Sequence, residues 1–427
     1  MENEVQPTAE AKDSVLRTYL NRIKAFSPNA RRYLASEAVY GISTGIFQLL
    51  FNFYVLSLGY NEAVIGNMVA AQSMTSLIIA LPMGFLTDRI GRKNAIIYSI
   101  VGFSVSVALM LLYPTTIMFV AMNIVLGVAQ SLAGIAMGPF LMENSQEEER
   151  TYLFSISSGL RMTAISIGQW VGGYMPTWFA LRLGISPLAT AAYSRALWMV
   201  ALSGLVAVVP MLFVFTAPKT GSQRSVFAPF SFIKKNPGTL QKLILPTLIT
   251  SVGAGLIMPF MNVFFRTVHQ QSDTSIGTIF AWGSLAMGIG LVIAPAFAER
   301  FGKIEVVVTS QGLSVPFLIL LGFAPWFGVV LAAYYMRTML MNMSSPIYST
   351  FVMEKVEPEM RGMLASLNSM AWNFGWALSP TVSGYLQVKY GFGPPFILTI
   401  VLYSIAIAMY YFWFLKNTKK DAEVGPA

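Results

Sequence analysis

Apolar stretches of about 20 residues recur along this whole chain, and each is long enough to cross a ~30 Å hydrocarbon slab as a helix. Of 427 residues, 55% are hydrophobic and 11% charged, with a mean hydropathy of +0.61. A soluble chain of this size needs far more polar surface to cover its core. The alternating ten-residue pattern of a membrane barrel is absent, so the spans are expected to be helical. Twelve are read, at roughly 34–59, 62–87, 94–113, 116–142, 151–176, 193–216, 243–268, 274–298, 304–323, 326–353, 362–387 and 393–415. The fold class is therefore an all-α polytopic membrane protein.

Charge sets the orientation. With the N-terminus inside, twenty-two of the 28 Lys and Arg fall in the N-terminal segment, the cytoplasmic loops and span ends, or the C-terminal tail. Only Arg182, Arg195, Arg266 and Lys389 fall outside, while Arg161 and Arg337 lie within spans. Both termini are expected to be cytoplasmic, in a multi-pass protein of the cell membrane. The first 33 residues are polar, so no cleavable signal peptide is expected and the first span inserts itself. Val15, Leu16, Tyr19, Leu20, Ile23 and Phe26 form an apolar stripe with basic companions, readable as a short interfacial helix or as a frayed tail.

The net charge of +9 is dispersed over short loops, which argues for membrane orientation and against a nucleic-acid surface. There is no cysteine, and the one histidine, His269, sits near the outer surface. Neither thiol chemistry nor a clustered catalytic or metal-binding constellation is present, so neither an enzyme nor a cofactor protein is expected.

Shifting the chain by 211 residues superimposes it on itself. Ile65-Gly66 falls on Ile276-Gly277, and Arg89 and Gly91 fall on Arg300 and Gly302. Phe140, Met142, Glu143 and Arg150 fall on Phe351, Met353, Glu354 and Arg361, and Val171, Gly173 and Tyr174 on Val382, Gly384 and Tyr385. Charged and glycine matches at one constant offset point to duplication. The expected organisation is an N-terminal segment (1–33), a six-helix bundle (34–216), a Pro- and Gly-bearing cytoplasmic linker (217–242), a second six-helix bundle (243–416) and a tail (417–427).

Between spans two and three lies Gly84-Phe85-Leu86-Thr87-Asp88-Arg89-Ile90-Gly91-Arg92-Lys93. Gly84 suits close helix approach, Gly91 a tight turn, and the basic residues a cytoplasmic loop. A degraded copy follows as Glu299-Arg300-Phe301-Gly302-Lys303. The motif resembles the signature of the major facilitator superfamily. That resemblance implies two pseudo-symmetric six-helix bundles and a loop whose charges cross the interface between them and help hold the cytoplasmic side closed. Glu143 with Arg150, repeated as Glu354 with Arg361, is similar to the Glu-x6-Arg element of some facilitator families, where it forms ion pairs with the first motif's charges. Exposed pairs contribute only ~0–1 kcal/mol each, so such a latch needs several. Span five carries Gly168-Gln169-Trp170-Val171-Gly172-Gly173, which resembles the core of the facilitator antiporter signature but has Gln169 in place of its proline. Helix packing is the simpler reading. Facilitator proton exporters often carry an arginine in span four, where this chain has Asn123.

By the same resemblance, spans one, four, seven and ten line a central cavity. Ionisable residues at membrane depth are functional candidates by default. Arg161, Arg337 and Glu37 qualify, and two arginines against one carboxylate favour an anionic solute. The alternative pairs Arg161 with Glu37, or satisfies both arginines with backbone carbonyls as structural pins. Tyr40, Gln48, Asn52, Asn262, Tyr334, Tyr348, Trp372, Asn373 and Trp376 extend the list of candidate contacts, the Trp and Tyr among them equally readable as lipid-facing or core packing. The expected activity is secondary active transport of a small organic solute by alternating access, by a monomer, with proton or sodium coupling left open. A multidrug exporter, or a non-transporting receptor or scaffold on the same fold, is the rival.

Overall fold

The computed structural model describes residues 26–215, 237–355 and 361–416. The interfacial stripe of residues 15–26 apart from Phe26, most of the linker and the tail lie outside them. Twelve helical rods appear among the described residues. Spans one to six are Pro28–Ser57, Glu62–Ile90, Arg92–Leu112, Thr116–Glu143, Glu147–Leu183 and Thr190–Leu212. Span seven is Pro237–Ile257, a 3-10 turn at Met258–Phe260, and Met261–Thr267. Spans eight to twelve are Asp273–Phe301, Lys303–Phe323, Phe327–Glu354, Arg361–Tyr390 and Gly393–Tyr410, the last continued by a π-helical turn at Tyr411–Leu415.

Local chemistry sets the ends. Span one begins at Pro28, earlier than the apolar pattern suggests, because Ser27 caps it by accepting from the Ala30 N–H at 3.2 Å and proline suits the first helical position. Span five runs on to Gly184, whose φ of +66° stops it. Gly91 and Gly302, 211 residues apart, adopt nearly the same backbone, φ +88° and ψ 147° against φ +93° and ψ 149°. Each ends one helix and starts the next, a conformation that only glycine adopts without strain. The duplication is thus legible in the backbone.

Nine of the rods are long and apolar enough to cross a membrane by themselves. Spans five, ten and eleven are long enough but more polar, and they carry Arg161, Arg337 and Trp372-Asn373. Span one packs on five and six, two on four, and four on three. In the second bundle seven packs on eleven and twelve, nine on ten, and eight on ten. Two seams join the bundles, span two against eleven and span five against eight.

The apolar core is not uniform along the rods. Away from the Gly91 and Gly302 turns, one continuous cluster draws on both bundles, with Phe51, Phe53 and Tyr193 from the first and Phe260, Phe264, Phe265 and Phe396 from the second. Towards those turns the core divides. Tyr33, Ile96, Ile100, Leu132, Phe140 and Met211 form one cluster in the first bundle, and Leu243, Val307, Met343, Tyr348, Phe351 and Tyr410 a separate one in the second. The bundles fuse at one end and part at the other.

Candidate functional site

The turns at Gly91 and Gly302 lie at the end of the bundles that carries most of the loop charges, and this end is called the basic end. Here Arg92 is ion-paired with Glu143, and Lys303, its counterpart 211 residues on, with Glu354. Both pairs lie within a bundle, and all four side chains are partly or largely exposed. Lys93 Nζ donates to the carbonyls of Leu212 and Val214 at 2.9 and 2.8 Å, closing the end of span six. Asp88 is exposed and has no ion pair among the described residues. Arg89, Glu299 and Arg300 are exposed as well, and the Arg300 guanidinium lies 5.3 Å from the Phe301 ring. The Arg150 Nε is buried without a hydrogen-bond partner, and Arg361 opens span eleven. One expectation is corrected. Gly84 is not a point of close helix approach: a Cβ there would meet nothing within 4 Å.

At the opposite end the seams interlock. A Cβ on Gly66 would sit 2.3 Å from the Pro380 carbonyl oxygen, and one on Gly384 2.4 Å from that of Glu62. The 211-residue repeat relates the first seam to the second, Gly66 to Gly277 and Gly384 to Gly173: a Cβ on Gly277 would lie 2.5 Å from the Gln169 carbonyl oxygen, and one on Gly173 2.8 Å from that of Asp273. Backbones touching this closely need glycine. Thr274 Oγ1 donates to the Gly173 carbonyl at 3.0 Å, and Ser284 Oγ to Gln169 Oε1 at 3.3 Å. The span-five glycines also pack inside their own bundle, Gly168 against the Ile42 backbone.

A buried polar cluster ties the bundles at this same end. Tyr193 Oη of span six donates to Asp273 Oδ2 of span eight at 2.6 Å. Arg266 of span seven donates to both, and its guanidinium lies 3.7 Å from the centre of the Phe53 ring of span one. Asp273 is 7% exposed. Deeper in, Asn52 Nδ2 of span one donates to the Pro259 carbonyl and to Asn262 Oδ1 at 2.8 and 2.9 Å, and Asn262 Nδ2 returns a bond to the Leu49 carbonyl at 2.9 Å. Span seven is interrupted at Pro259, and Asn52 Nδ2 takes up the Pro259 carbonyl while Asn262 Oδ1 accepts from the Val263 N–H at 2.9 Å. Asn52 and Asn262 thus hold the bundles together.

The remaining interior candidates are spread over both bundles. Glu37 is buried, with Arg161 Nε 3.6 Å from its Oε1, and the Arg161 side chain is about half exposed beyond it. Gln48 is exposed on an otherwise buried stretch of span one, and Trp372 is exposed on span eleven. Asn373 bonds the Ser369 carbonyl of its own helix, and Trp376 has a buried Nε1 without a partner. Tyr40 packs edge-on against Phe103, and Tyr334 packs against Phe265 and Phe280. The Tyr348 hydroxyl donates to the Leu243 carbonyl at 2.6 Å, inside the second bundle. Arg337 is 3% exposed and contacts Met258 and Tyr403.

The family model of the Major Facilitator Superfamily matches residues 34–270 and again 243–427, and so covers both bundles. The chain belongs to the Major Facilitator Superfamily. Multidrug resistance protein 1 of Bacillus subtilis is 24% identical over 353 residues, spanning 82% of this chain and 87% of the relative. A point mutant of the nucleoside transporter NupG superimposes with a TM-score of 0.76 at 13% identity, over 90% of this chain and 99% of that one. A bacterial homologue of the human lysosomal transporter Spinster, in an inward-facing and occupied conformation, gives 0.73 at 13% identity, over 90% and 97%. At these identities the structural likeness establishes the facilitator fold alone.

Within that fold, sequence reasoning missed Phe53, Tyr193, Arg266, Asp273 and Tyr403. Two signals could have found part of this set. Asp273 follows Arg266 by seven residues across a short loop, and Met258-Pro259 interrupts an otherwise apolar span, a mark of binding regions in transporters.

Proposed function

We propose that this facilitator-family chain is a secondary active transporter that carries a small organic solute across the cytoplasmic membrane by alternating access, and that the present form opens towards the cytoplasm. One observation carries the reading: the core is shared by both bundles at one end and divided between them at the other. The distribution of Lys and Arg supports reading the divided, basic end as the cytoplasmic one, with both termini inside. Glu37 and Arg161 then lie on the open side, where a solute enters or leaves, and Gln48 is exposed where the shared core begins. Rocking the bundles about the amide bridge of Asn52 and Asn262 would exchange the open end for the sealed one. A non-transporting receptor has no use for a seam built of paired glycine contacts on both sides.

Proteoliposomes test the proposal. The protein, reconstituted and screened with imposed proton and sodium gradients over anionic, neutral and cationic organic solutes, is expected to concentrate at least one class. Failure with every class under either gradient, by protein that remains folded, overturns it. The name of the Bacillus subtilis relative favours a second reading, a multidrug exporter. Export of several unrelated lipophilic cations, with no transport of anions, would decide for that reading.

A further inference from the structure

Three arginines lie within the membrane-spanning rods at positions where they meet the opposite bundle or the bundle interior. Arg161 has Glu37 and Arg266 has Asp273. Arg337 has no carboxylate among the described residues. It is 3% exposed, and its surroundings are neutral. One terminal nitrogen reaches Met258 Sδ at 3.8 Å, the other donates to Tyr403 Oη at 3.3 Å, and the guanidinium lies 5.5 Å from the centre of the Tyr403 ring. The Nε–H donates to nothing among the described residues.

A guanidinium does not give up its proton in a protein, so this charge is permanent. Taking an unpaired cation out of water is strongly unfavourable, and hydrocarbon on the far side of the bundle offers no relief. A structural pin would be expected to spend its N–H groups on backbone carbonyls. Arg337 instead spends only two of its five N–H groups, on a thioether and a hydroxyl, and leaves its Nε–H vacant, while Tyr403 accepts from Arg337 and donates its own O–H to no acceptor among the described residues. Two donors and one full positive charge therefore meet between spans seven, ten and twelve. They meet beside the Met258–Phe260 break, where the helix ladder is already interrupted and Met258 is an unbranched, adaptable side chain.

Resting on the transport reading above, we infer that Arg337 and Tyr403 form a half-site for a monoanionic group, a carboxylate in the first instance, on the transported solute. Charge balance selects the class. A carboxylate neutralises one guanidinium and accepts from both donors in the plane of its two oxygens, whereas a dianionic phosphate leaves one negative charge unmatched at the same depth. Arg161 is not part of the site, because Glu37 already balances it. The half-site exists once. The positions 211 residues before Met258, Arg337 and Tyr403 are Phe47, Leu126 and Ala192, so the first bundle has no counterpart.

Thermal unfolding of the full chain in detergent, followed by tryptophan fluorescence at constant chloride, tests the site independently of transport. The probes are acetate, benzoate, inorganic phosphate and benzamide, the last being the neutral isostere of benzoate. At least one of the two carboxylates should raise the Tm of the wild type and of Arg161→Met by about 2 °C or more, with less from phosphate and nothing from benzamide. Arg337→Met should unfold at a higher temperature than the wild type in the absence of carboxylate, and should lose the response. Tyr403→Phe should weaken the response at least threefold in apparent Kd, and it carries the test if Arg337→Met does not fold. The inference is overturned if neither carboxylate stabilises the wild type, or if Arg337→Met or Tyr403→Phe responds as the wild type does. If carboxylate stabilisation tracks Arg337 while no solute is moved in proteoliposomes, the transport reading fails and the half-site stands. If an identified solute is transported unchanged by Arg337→Met, the half-site fails and transport stands.

Discussion

The two ends of the bundle interface use the same duplicated sequence to opposite effect. At the sealed end, contacts are backbone on backbone at Gly66, Gly173, Gly277 and Gly384, and the charges of Arg266 and Asp273 are largely withdrawn from water. At the basic end, the charges are exposed, and the ion pairs Arg92–Glu143 and Lys303–Glu354 brace each bundle separately. The difference is energetic as well as geometric. Breaking a buried pair by removing one partner costs roughly 3–5 kcal/mol, whereas an exposed pair contributes about 0–1 kcal/mol. A seal made of the first kind holds one end shut, and the second kind leaves the other free to move.

The strongest way to break this contrast is at Asp273. Asp273→Ala strands Arg266 over Phe53 and removes the acceptor of Tyr193. A loss of roughly 3 kcal/mol in the sealed form corresponds to about a 100-fold shift towards opening at that end. The chain has no cysteine, so a single cysteine at Gln48 can report the shift by its labelling with a membrane-impermeant maleimide from either face of a proteoliposome. Labelling from the face opposite the basic end should rise steeply in Asp273→Ala. It should fall back in the double variant with Arg266→Met, where no charge is left stranded. No change in the single variant would mean that the cluster merely decorates a seam held by packing.

Packing at the seams should give the next largest effect. Gly277→Ala places a methyl group 2.5 Å from the Gln169 carbonyl oxygen, and neither backbone can give way without parting spans five and eight. Overpacking of this kind costs about 1–3 kcal/mol, or roughly tenfold in the same labelling ratio. Gly66→Ala at the equivalent seam should match it within a factor of a few, since the two contacts are related by the repeat. Gly84→Ala is the control. It lies in the same span as Gly66 but meets nothing, and should leave the ratio unchanged.

These residues also mark what the sequence makes legible and what it hides. The glycine turns, the paired acids and bases and the seam glycines are legible, because duplication presents each of them twice at one offset. The polar seal is not. Tyr193 meets Asp273 across 80 positions and Arg266 meets Phe53 across more than 200, and no local period encodes which faces of two separate bundles will touch. Arg337 is visible as a charge at depth, but its partner Tyr403 looks like any aromatic residue in an apolar span. Asn52 and Asn262 read as solute contacts because an amide at membrane depth announces need without naming its partner. Here they answer each other.

The smallest effect, and the one that sharpens the comparison most, belongs to Glu143 and Glu354. Each pairs with a residue on the adjacent turn of its own bundle, so neither pair changes partner across the interface in the present form. Glu143→Gln or Glu354→Gln should therefore move the labelling ratio less than about threefold, in keeping with ~0–1 kcal/mol for an exposed pair, and high salt should shrink even that. The two substitutions together should do more than their sum only if these carboxylates also reach across the interface when the basic end closes. Such excess coupling would appear as a double-mutant difference that vanishes once Asp88, exposed and without an ion pair among the described residues, is changed to Asn. A strictly additive result would confine both pairs to bracing their turns, and closure of the basic end would then have to come from the apolar faces that the divided core leaves apart.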